Sequence, residues 1–124
     1  MTAVRPIDIA SLDKLGAPVL RLEAGEKVFL ADETARAMFV VRSGRVDVII
    51  YGAVLENIRA GGIFGEMSLI DDEPRSAAAI AAEPTEVSVI SQETFMALIR
   101  ADADFALNIM RVLSARIRRM NEQF

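Results

Sequence analysis

The sequence "FGEMSLIDDEPRSA" (residues 64–77) joins a Gly-Glu pair to a Pro-Arg-Ser triplet through a short segment with helical character. Gly65 has no Cβ, so a ligand can approach its backbone closely. Residues Glu66 to Ile70 can form one helical turn, whose first N–H groups have no partner inside the helix. Arg75 adds a planar fork of donors that matches phosphate oxygens. The stretch therefore predicts an anion site that also contains a carboxylate.

The carboxylate of Glu66 restricts the kind of anion that this site can take. A carboxylate repels a phosphate, so Glu66 fits only a ligand that also donates a hydroxyl, as a ribose 2′-OH does. Ser76 can add a hydroxyl and the Ala77 N–H another donor, and the small residues that follow leave room for a compact nucleotide. The alternative is that Glu66 and Arg75 form a plain ion pair that closes the helical turn.

The periodicity of the chain predicts strands on both sides of this stretch and helices at the two ends. Residues 7–15 have the spacing of a short amphipathic helix, and residues 18–91 contain many short alternating segments. The predicted turns lie at Ala24-Gly25, Ser43-Gly44 and Tyr51-Gly52. We predict a single α+β domain over residues 1–124: an antiparallel β-barrel or double-stranded jelly roll, with a short N-terminal helix, a helical turn within residues 64–77 and two C-terminal helices over residues 92–124.

The C-terminal segment returns to a helical pattern after Ser91, which is suited to cap a helix. Residues Thr94 to Ala101 are predicted to form one helix. Asp102 or Asp104 caps a longer one that runs toward Phe124.

The longer helix carries two apolar stripes. The first, suited to packing on the barrel, consists of Phe105, Ile109 and Val112. The second has heptad spacing and consists of Met110, Leu113, Ile117, Met120 and Phe124. A helix with two apolar faces needs two surfaces to pack on, so we predict a homodimer through the second stripe. The alternative is that this stripe covers another part of the same barrel.

The composition excludes several classes of protein. The net charge is −4 at pH 7, which disfavours direct binding to nucleic acid, and we interpret Arg111, Arg116, Arg118 and Arg119 as a solvated helix face. The chain has no cysteine and no histidine, which excludes disulfides, disfavours zinc and haem sites, and rules out catalytic triads built on either residue. No apolar run is long enough to insert in a membrane, and the first residues resemble no signal peptide. We therefore expect a cytoplasmic protein.

Residues 64–77 resemble the phosphate-binding cassette of the cyclic nucleotide-binding domains. The family pattern is Phe-Gly-Glu-x-(Ala/Ser)-Leu, a short variable stretch, and Pro-Arg-(Ser/Ala/Thr)-Ala; this chain has "FGEMSL", "IDDE" and "PRSA". The chain resembles cyclic-AMP receptors, regulatory subunits of cyclic-AMP-dependent kinase and sensor domains of bacterial cyclic-nucleotide-gated channels. The spacing from Glu66 to Arg75 is that of the kinase regulatory subunits and of many bacterial members, and the short hairpin at Tyr51-Gly52 is similar to that of some of the channels. Upstream, "AGEKVFLADETARAMFVVRSGRVDV" is similar to the family's Gly-Glu turn and aromatic strand, although Ala31 stands where glycine is frequent. Downstream, the two helices correspond to the family's hinge and lid.

The resemblance implies a set of ligand-binding residues. They are Phe64, Gly65, Glu66, Met67, Ser68, Arg75, Ser76 and Ala77. By resemblance, Glu66 accepts from the ribose 2′-OH, Arg75 binds the cyclic phosphate, and Ser76 contacts phosphate or base. The candidates for a lid on the base are Arg116, Arg119, Gln123 and Phe124. Ser76 favours cyclic AMP, because threonine is the more usual mark of cyclic GMP, but it leaves cyclic GMP open.

The function implied is that of a cyclic-nucleotide receptor module, with no cofactor and no catalytic activity. Its last helix would move on binding and signal to an unknown effector protein or to a dimer mate. One alternative is an interaction domain that does not bind nucleotide, and another is a regulatory fragment detached from a larger channel or transcription regulator. An enzyme of the cupin type is disfavoured, because those sites are usually built on several histidines.

Overall fold

The computed structural model describes residues 7–34 and 36–122 of the chain. Its elements follow in the order α1 (Ile9–Lys14), β1 (Val19–Leu22), β2 (Lys27–Phe29), β3 (Ala37–Ser43), β4 (Arg45–Ile50), β5 (Ala53–Arg59), β6 (Ile63–Phe64), α2 (Met67–Asp71), β7 (Ala78–Ala81), β8 (Thr85–Ser91), α3 (Gln92–Ala101) and α4 (Ala103–Glu122). The chain divides into two compact units, one ending at Gln92 and the other beginning at Glu93. The organisation of residues 1–124 as a single domain stays a prediction.

The strands form two four-stranded antiparallel sheets, which confirms the predicted α+β jelly roll. The first sheet has the order β1-β8-β3-β6 and the second has the order β2-β7-β4-β5. One hydrophobic core takes side chains from the strands of both sheets: Leu22, Phe29, Phe39, Val41, Val46, Ile58, Phe64, Ala79, Ala81 and Val87. Apolar residues that alternate along half-buried strands account for this core.

Two of the predicted turns join strands of different sheets. The turn at Ser43-Gly44 leads from β3 in the first sheet to β4 in the second, and the turn at Ala24-Gly25 leads from β1 to β2 in the same way. The turn at Tyr51-Gly52 does close a hairpin between β4 and β5. Both of its central residues have positive φ, 50° and 78°, as a two-residue hairpin turn requires.

The strand β6 has only two residues and was not predicted, because so short a segment has no measurable period. It pairs with β3 in the register Phe39↔Phe64 and Val40↔Ile63. This pairing places the start of residues 64–77 in the first sheet, whereas β7, which follows them, lies in the second sheet.

The N-terminal helix α1 lies within the predicted range of residues 7–15. Asp8 caps it by accepting a hydrogen bond from the Ala10 N–H at 3.1 Å. Arg42 on β3 holds the helix through an ion pair with Asp13 at 2.6 Å, and the same nitrogen donates to the Ser88 hydroxyl at 3.1 Å. The ion pair attaches α1 to β3, and the second contact joins Arg42 to the neighbouring strand β8.

The C-terminal helices match their predictions except at one start. The helix α3 begins at Gln92 rather than at Thr94, directly after the last residue of β8. Of the two predicted caps for α4, Asp102 is the one observed, since its carboxylate accepts from the N–H groups of Asp104 (3.0 Å) and Phe105 (3.2 Å). No helix in the described part of the chain is long and apolar enough to cross a membrane.

The two predicted stripes of α4 differ in exposure. Phe105, Ile109 and Val112 of the first stripe are buried. In the second stripe Leu113 is partly buried, whereas Met110 is 62% exposed, Ile117 58% and Met120 53%. The homodimer through this stripe and its alternative, packing on another part of the same barrel, both stay predictions. Phe124 lies outside the described residues.

Candidate functional site

Residues 64–77, here called the cassette, connect the two sheets. They begin at the end of β6, form the short helix α2 and lead into β7. The helix spans Met67–Asp71, so the predicted turn over Glu66 to Ile70 is shifted by one residue, and Glu66 occupies the N-cap. Asp72 ends the helix in the left-handed conformation with φ of 59°.

Arg75 is buried and makes its hydrogen bonds to backbone carbonyl groups. Its residue is 5% exposed. The guanidinium donates from Nη1 to the Gly65 carbonyl oxygen at 2.6 Å and from Nη2 to the Ala37 carbonyl oxygen. The cassette is therefore folded back so that its arginine bridges its own first residues and the start of β3.

The backbone of Arg75 is held by the loop after β2. Its N–H donates to the Glu33 carbonyl oxygen at 2.9 Å, and its carbonyl oxygen accepts from the Asp32 N–H at 2.8 Å. The left-handed residue of this loop is Asp32, with φ of 70°, rather than its neighbour Ala31. An alanine in place of the family's frequent glycine is therefore tolerated, because aspartate accepts that conformation more readily.

Aromatic rings of the core lie against the guanidinium of Arg75. Its central carbon is 4.1 Å from the centroid of the Phe29 ring and 5.8 Å from that of Phe39. These two rings and Phe64 form one cluster, with centroid separations of 5.1 to 6.0 Å. Phe64, which the resemblance placed among the ligand-binding residues, has its side chain in the core, and its role in binding stays a prediction.

The electrostatics of Arg75 combine desolvation with a nearby acidic charge. Burial lowers the pKa of the guanidinium, and the negative charge of Glu33 opposes part of that decrease. An arginine remains protonated at neutral pH despite such a shift. A guanidinium has five N–H donors, and two of them are described here, one donating to each carbonyl oxygen.

Gly65 leaves the space that the guanidinium occupies. Its φ is 81°, and an added Cβ would lie 2.9 Å from Arg75 Nη1 and 3.3 Å from carbon atoms of Phe29 and Phe39. The sequence pattern alone accounts for this glycine by the close approach of a ligand. The structure adds a second requirement, since a side chain here would collide with the arginine of the cassette.

Glu66 is completely buried, with 0% exposure. Its carbonyl oxygen accepts from the N–H groups of Leu69 (3.1 Å) and Ile70 (3.2 Å), which fixes its backbone at the start of α2. A buried carboxylate is costly unless donors surround it, so a fully buried glutamate needs polar partners at this position.

The remaining predicted residues are divided between buried and exposed positions. Ser68 and Ala77 are buried, whereas Met67 and Ser76 are exposed. On α4, Arg116 is partly buried and Arg119 is exposed. The other two lid candidates, Gln123 and Phe124, lie outside the described residues. The cassette and α4 belong to different compact units.

The sequence analysis did not identify the residues that hold Arg75 from outside the cassette. These are Phe29, Glu33, Ala37 and Phe39, which lie between 36 and 46 positions before it. The aromatic strand and the Gly-Glu turn are recognisable in the sequence, but nothing in either segment indicates that it contacts the arginine. Within residues 7–34 and 36–122, no group of three or more acidic side chains is arranged to hold a metal ion.

Comparisons with known proteins identify the family of this chain. The model of the cyclic nucleotide-binding domain family matches residues 19–102, which include all strands and the cassette. The chain is 35% identical over 99 residues to the cyclic AMP receptor protein of Thermus thermophilus, covering 76% of this chain and 46% of that protein. It is 26% identical over 102 residues to the cAMP-dependent protein kinase regulatory subunit of Aspergillus niger, covering 80% and 24%. The chain thus spans less than half the length of either relative.

A solved structure gives the same result at the level of the fold. The catabolite activator protein of Thermus thermophilus superimposes with a TM-score of 0.81 at 30% identity, covering 92% of this chain and 56% of that one. A family model that matches most of the chain and a closely superimposable fold lead to one conclusion. The chain belongs to the cyclic nucleotide-binding domain family.

Proposed function

We propose that this chain is a receptor for a cyclic nucleotide, in which Arg75 binds the cyclic phosphate and Glu66 accepts a hydrogen bond from the ribose 2′-OH. The observation that carries the proposal is the buried guanidinium of Arg75, whose described hydrogen bonds go to the carbonyl oxygens of Gly65 and Ala37. Burying a cation is costly, and carbonyl dipoles compensate the charge only in part. A phosphate would supply the full negative charge and match the fork of donors.

Several features favour cyclic AMP as the ligand. The cassette carries serine at position 76, and the Ser76 side chain is exposed, so its hydroxyl is accessible to a phosphate or a base. The similarity to a protein named as a cyclic AMP receptor supports the same choice. We propose that the domain binds without catalysing a reaction, as a sensor whose output is a change in the position of α4.

Isothermal titration of the purified domain tests this proposal. Any co-purified nucleotide is first removed by unfolding and refolding, and the protein is then titrated with cyclic AMP, cyclic GMP and non-cyclic 5′-AMP. We expect micromolar or tighter binding of cyclic AMP, weaker binding of cyclic GMP and the weakest binding of 5′-AMP. Folded, ligand-free protein that takes up neither cyclic nucleotide would contradict the proposal.

The exposed stripe on α4 supports a second part of the proposal, a homodimer. The apolar residues Met110, Ile117 and Met120 are each more than half exposed to solvent. They have heptad spacing with Leu113 and Phe124 in the sequence. We propose that two copies pair through this stripe, or that an effector protein covers it. If the domain serves only as an interaction scaffold, its oligomeric state is the same with and without cyclic nucleotide.

A further inference from the structure

Phe29 faces the guanidinium of Arg75 more closely than any other ring described. The central carbon of the guanidinium lies 4.1 Å from the Phe29 centroid, well inside the distance of about 6 Å at which a cation is attracted to a ring face. Phe39 is farther away, at 5.8 Å. The described ring nearest to the cation therefore belongs to β2, which lies outside the cassette.

We propose that Phe29 is a positioning residue for the anion site: its ring face holds the guanidinium of Arg75 in the orientation that receives the phosphate. This inference rests on the proposed function of Arg75. It adds a residue from a distant strand to the machinery of binding. Because the ring of Phe29 contacts the cation, Phe29 acts through Arg75.

The ring is itself held in place by its neighbours. Phe29 is 6.0 Å from both Phe39 and Phe64, and those two rings are stacked 5.1 Å apart. All three belong to the hydrophobic core, where close packing restricts the rotation of side chains. The cation therefore lies on a fixed surface.

Gly65, in contrast to Phe29, provides the space that the guanidinium of Arg75 needs. Its missing side chain leaves room for Nη1, and its carbonyl oxygen accepts a hydrogen bond from that same atom at 2.6 Å. The Ala37 carbonyl oxygen and the face of the Phe29 ring also contact the guanidinium and restrict its position. A long arginine side chain has many rotamers, and this arrangement selects one of them before the ligand arrives.

The loss of the ring should reduce the fraction of the protein that is ready to bind. The apparent affinity of a ligand falls in proportion to the population of the competent state. A cation–π contact contributes enough to change the affinity by roughly 3- to 30-fold. An aliphatic side chain of similar size keeps the apolar packing but not the attraction to the cation.

The test compares Phe29→Leu with Phe29→Tyr, which keeps the ring face. Leu22→Ala is the matched control, because it removes apolar volume from the same core without removing a ring. Each variant is titrated with cyclic AMP, and its thermal unfolding is recorded. In the ligand-free proteins, the NMR resonance of the Arg75 Nε–H reports the ring directly, since a proton over a ring face is shifted upfield.

We expect Phe29→Leu to lose the upfield shift and to bind cyclic AMP roughly 3- to 30-fold more weakly, with Phe29→Tyr close to the original protein in both. Leu22→Ala should unfold at a lower temperature yet bind within about twofold of the original protein, since it leaves the cation contact intact. The inference is overturned if Phe29→Leu keeps both the affinity and the upfield shift of the original protein. It is also overturned if Leu22→Ala loses as much affinity as Phe29→Leu.

Two further measurements keep the outcomes distinct. If Phe29→Leu does not fold, Phe39→Leu replaces it, with a smaller loss of affinity expected because that ring is 5.8 Å from the cation. If the original protein binds no cyclic nucleotide, the proposed function fails by itself. The Arg75 resonance then decides the inference: an unchanged shift in Phe29→Leu overturns it, and a lost shift supports the positioning of the cation.

Discussion

Gly65 combines two requirements that a sequence motif does not separate. Its φ of 81° favours glycine, and the position of its missing Cβ lies only 2.9 Å from Arg75 Nη1. Gly25 has a similar φ of 88°, but nothing lies within 4 Å of its missing Cβ. Comparing substitutions at Gly65 and Gly25 therefore distinguishes the effect of backbone strain from the effect of displacing the arginine.

We expect Gly65→Ala to weaken cyclic nucleotide binding and to lower the thermal stability, while Gly25→Ala lowers only the stability. The strain of an alanine in the left-handed region costs about 1–2 kcal/mol in either variant. Only Gly65→Ala also pushes against the guanidinium. Titration with cyclic AMP and thermal unfolding of both variants check this, and equal affinities would show that Gly65 has no role in placing Arg75.

Two substitutions of Arg75 distinguish the contribution of its positive charge to binding from that of its planar fork of donors. Arg75→Ala removes the cation and leaves the carbonyl oxygens of Gly65 and Ala37 without its donors, so we expect a loss of roughly 2–5 kcal/mol in binding and of about 1–3 kcal/mol in stability. Arg75→Lys keeps the charge but not the fork, and should bind with intermediate affinity.

Arg100→Ala provides the control for the Arg75 variants, since Arg100 is an exposed arginine on α3. It should leave both the affinity and the unfolding temperature unchanged. Calorimetric titration and circular dichroism melts measure the two quantities. An Arg75→Ala protein that binds as tightly as the original would remove Arg75 from the site.

The proposed role of Glu66 is tested best from the side of the ligand. The original protein should bind cyclic AMP more tightly than 2′-deoxy cyclic AMP, because the deoxy compound leaves the buried carboxylate without its hydroxyl donor. In Glu66→Gln the difference between the two ligands should shrink, since an amide oxygen accepts less strongly than a carboxylate. Competition titrations give the ratio for each protein, and an unchanged ratio would argue against a contact between Glu66 and the ribose.

At the level of elements, one ion pair at the surface contributes to the attachment of α1. Arg42 contacts Asp13 through two nitrogens, at 2.6 and 3.2 Å, and the hydrogen bond lowers the pKa of the Asp13 carboxyl below its usual value of 3.8. A carboxyl whose pKa is lower in the folded state stabilises the fold above its unfolded pKa. This contribution is lost as the pH falls through the folded value.

We therefore expect the ion pair to contribute in full at pH 6 and to lose its contribution progressively as the pH falls below about 3.8 and through the lower pKa of the folded state. Asp13→Asn should lower the unfolding temperature at pH 6, and its difference from the original protein should vanish in strong acid. Thermal melts across this range give the profile. In an Arg42→Ala background, Asp13→Asn should have almost no further effect, and a difference that persists there or at low pH would assign Asp13 another role.

At the level of the whole molecule, the proposed homodimer depends on the exposed stripe of α4. If two copies pair through this stripe, Ile117→Glu buries a charge in the interface and should convert a dimer to a monomer. Leu107→Glu is a matched control, because Leu107 is also an exposed apolar residue of α4 but lies outside the stripe. Sedimentation velocity of both variants, with and without cyclic AMP, measures the outcome. A wild-type monomer at all concentrations would exclude the homodimer.

The local patterns of the sequence were sufficient for most elements. The hairpin at Tyr51-Gly52, the cap at Asp102, the heptad stripe and the spacing between Glu66 and Arg75 all depend on residues close together in the chain. Dihedral preferences, capping and periodicity act over such distances. The roles of the predicted ligand-binding residues themselves stay predictions.

The sequence by itself therefore determined the fold class, the position of the cassette and the two charges that define it. Only the tertiary structure decided which strands share a sheet, that a two-residue strand begins the cassette, and that Phe29, Ala37 and Gly65 surround the guanidinium of Arg75. The physical reason is the range of the interactions. Sheet pairing and ring contacts join segments tens of residues apart, and their energies depend on core packing that no local pattern encodes.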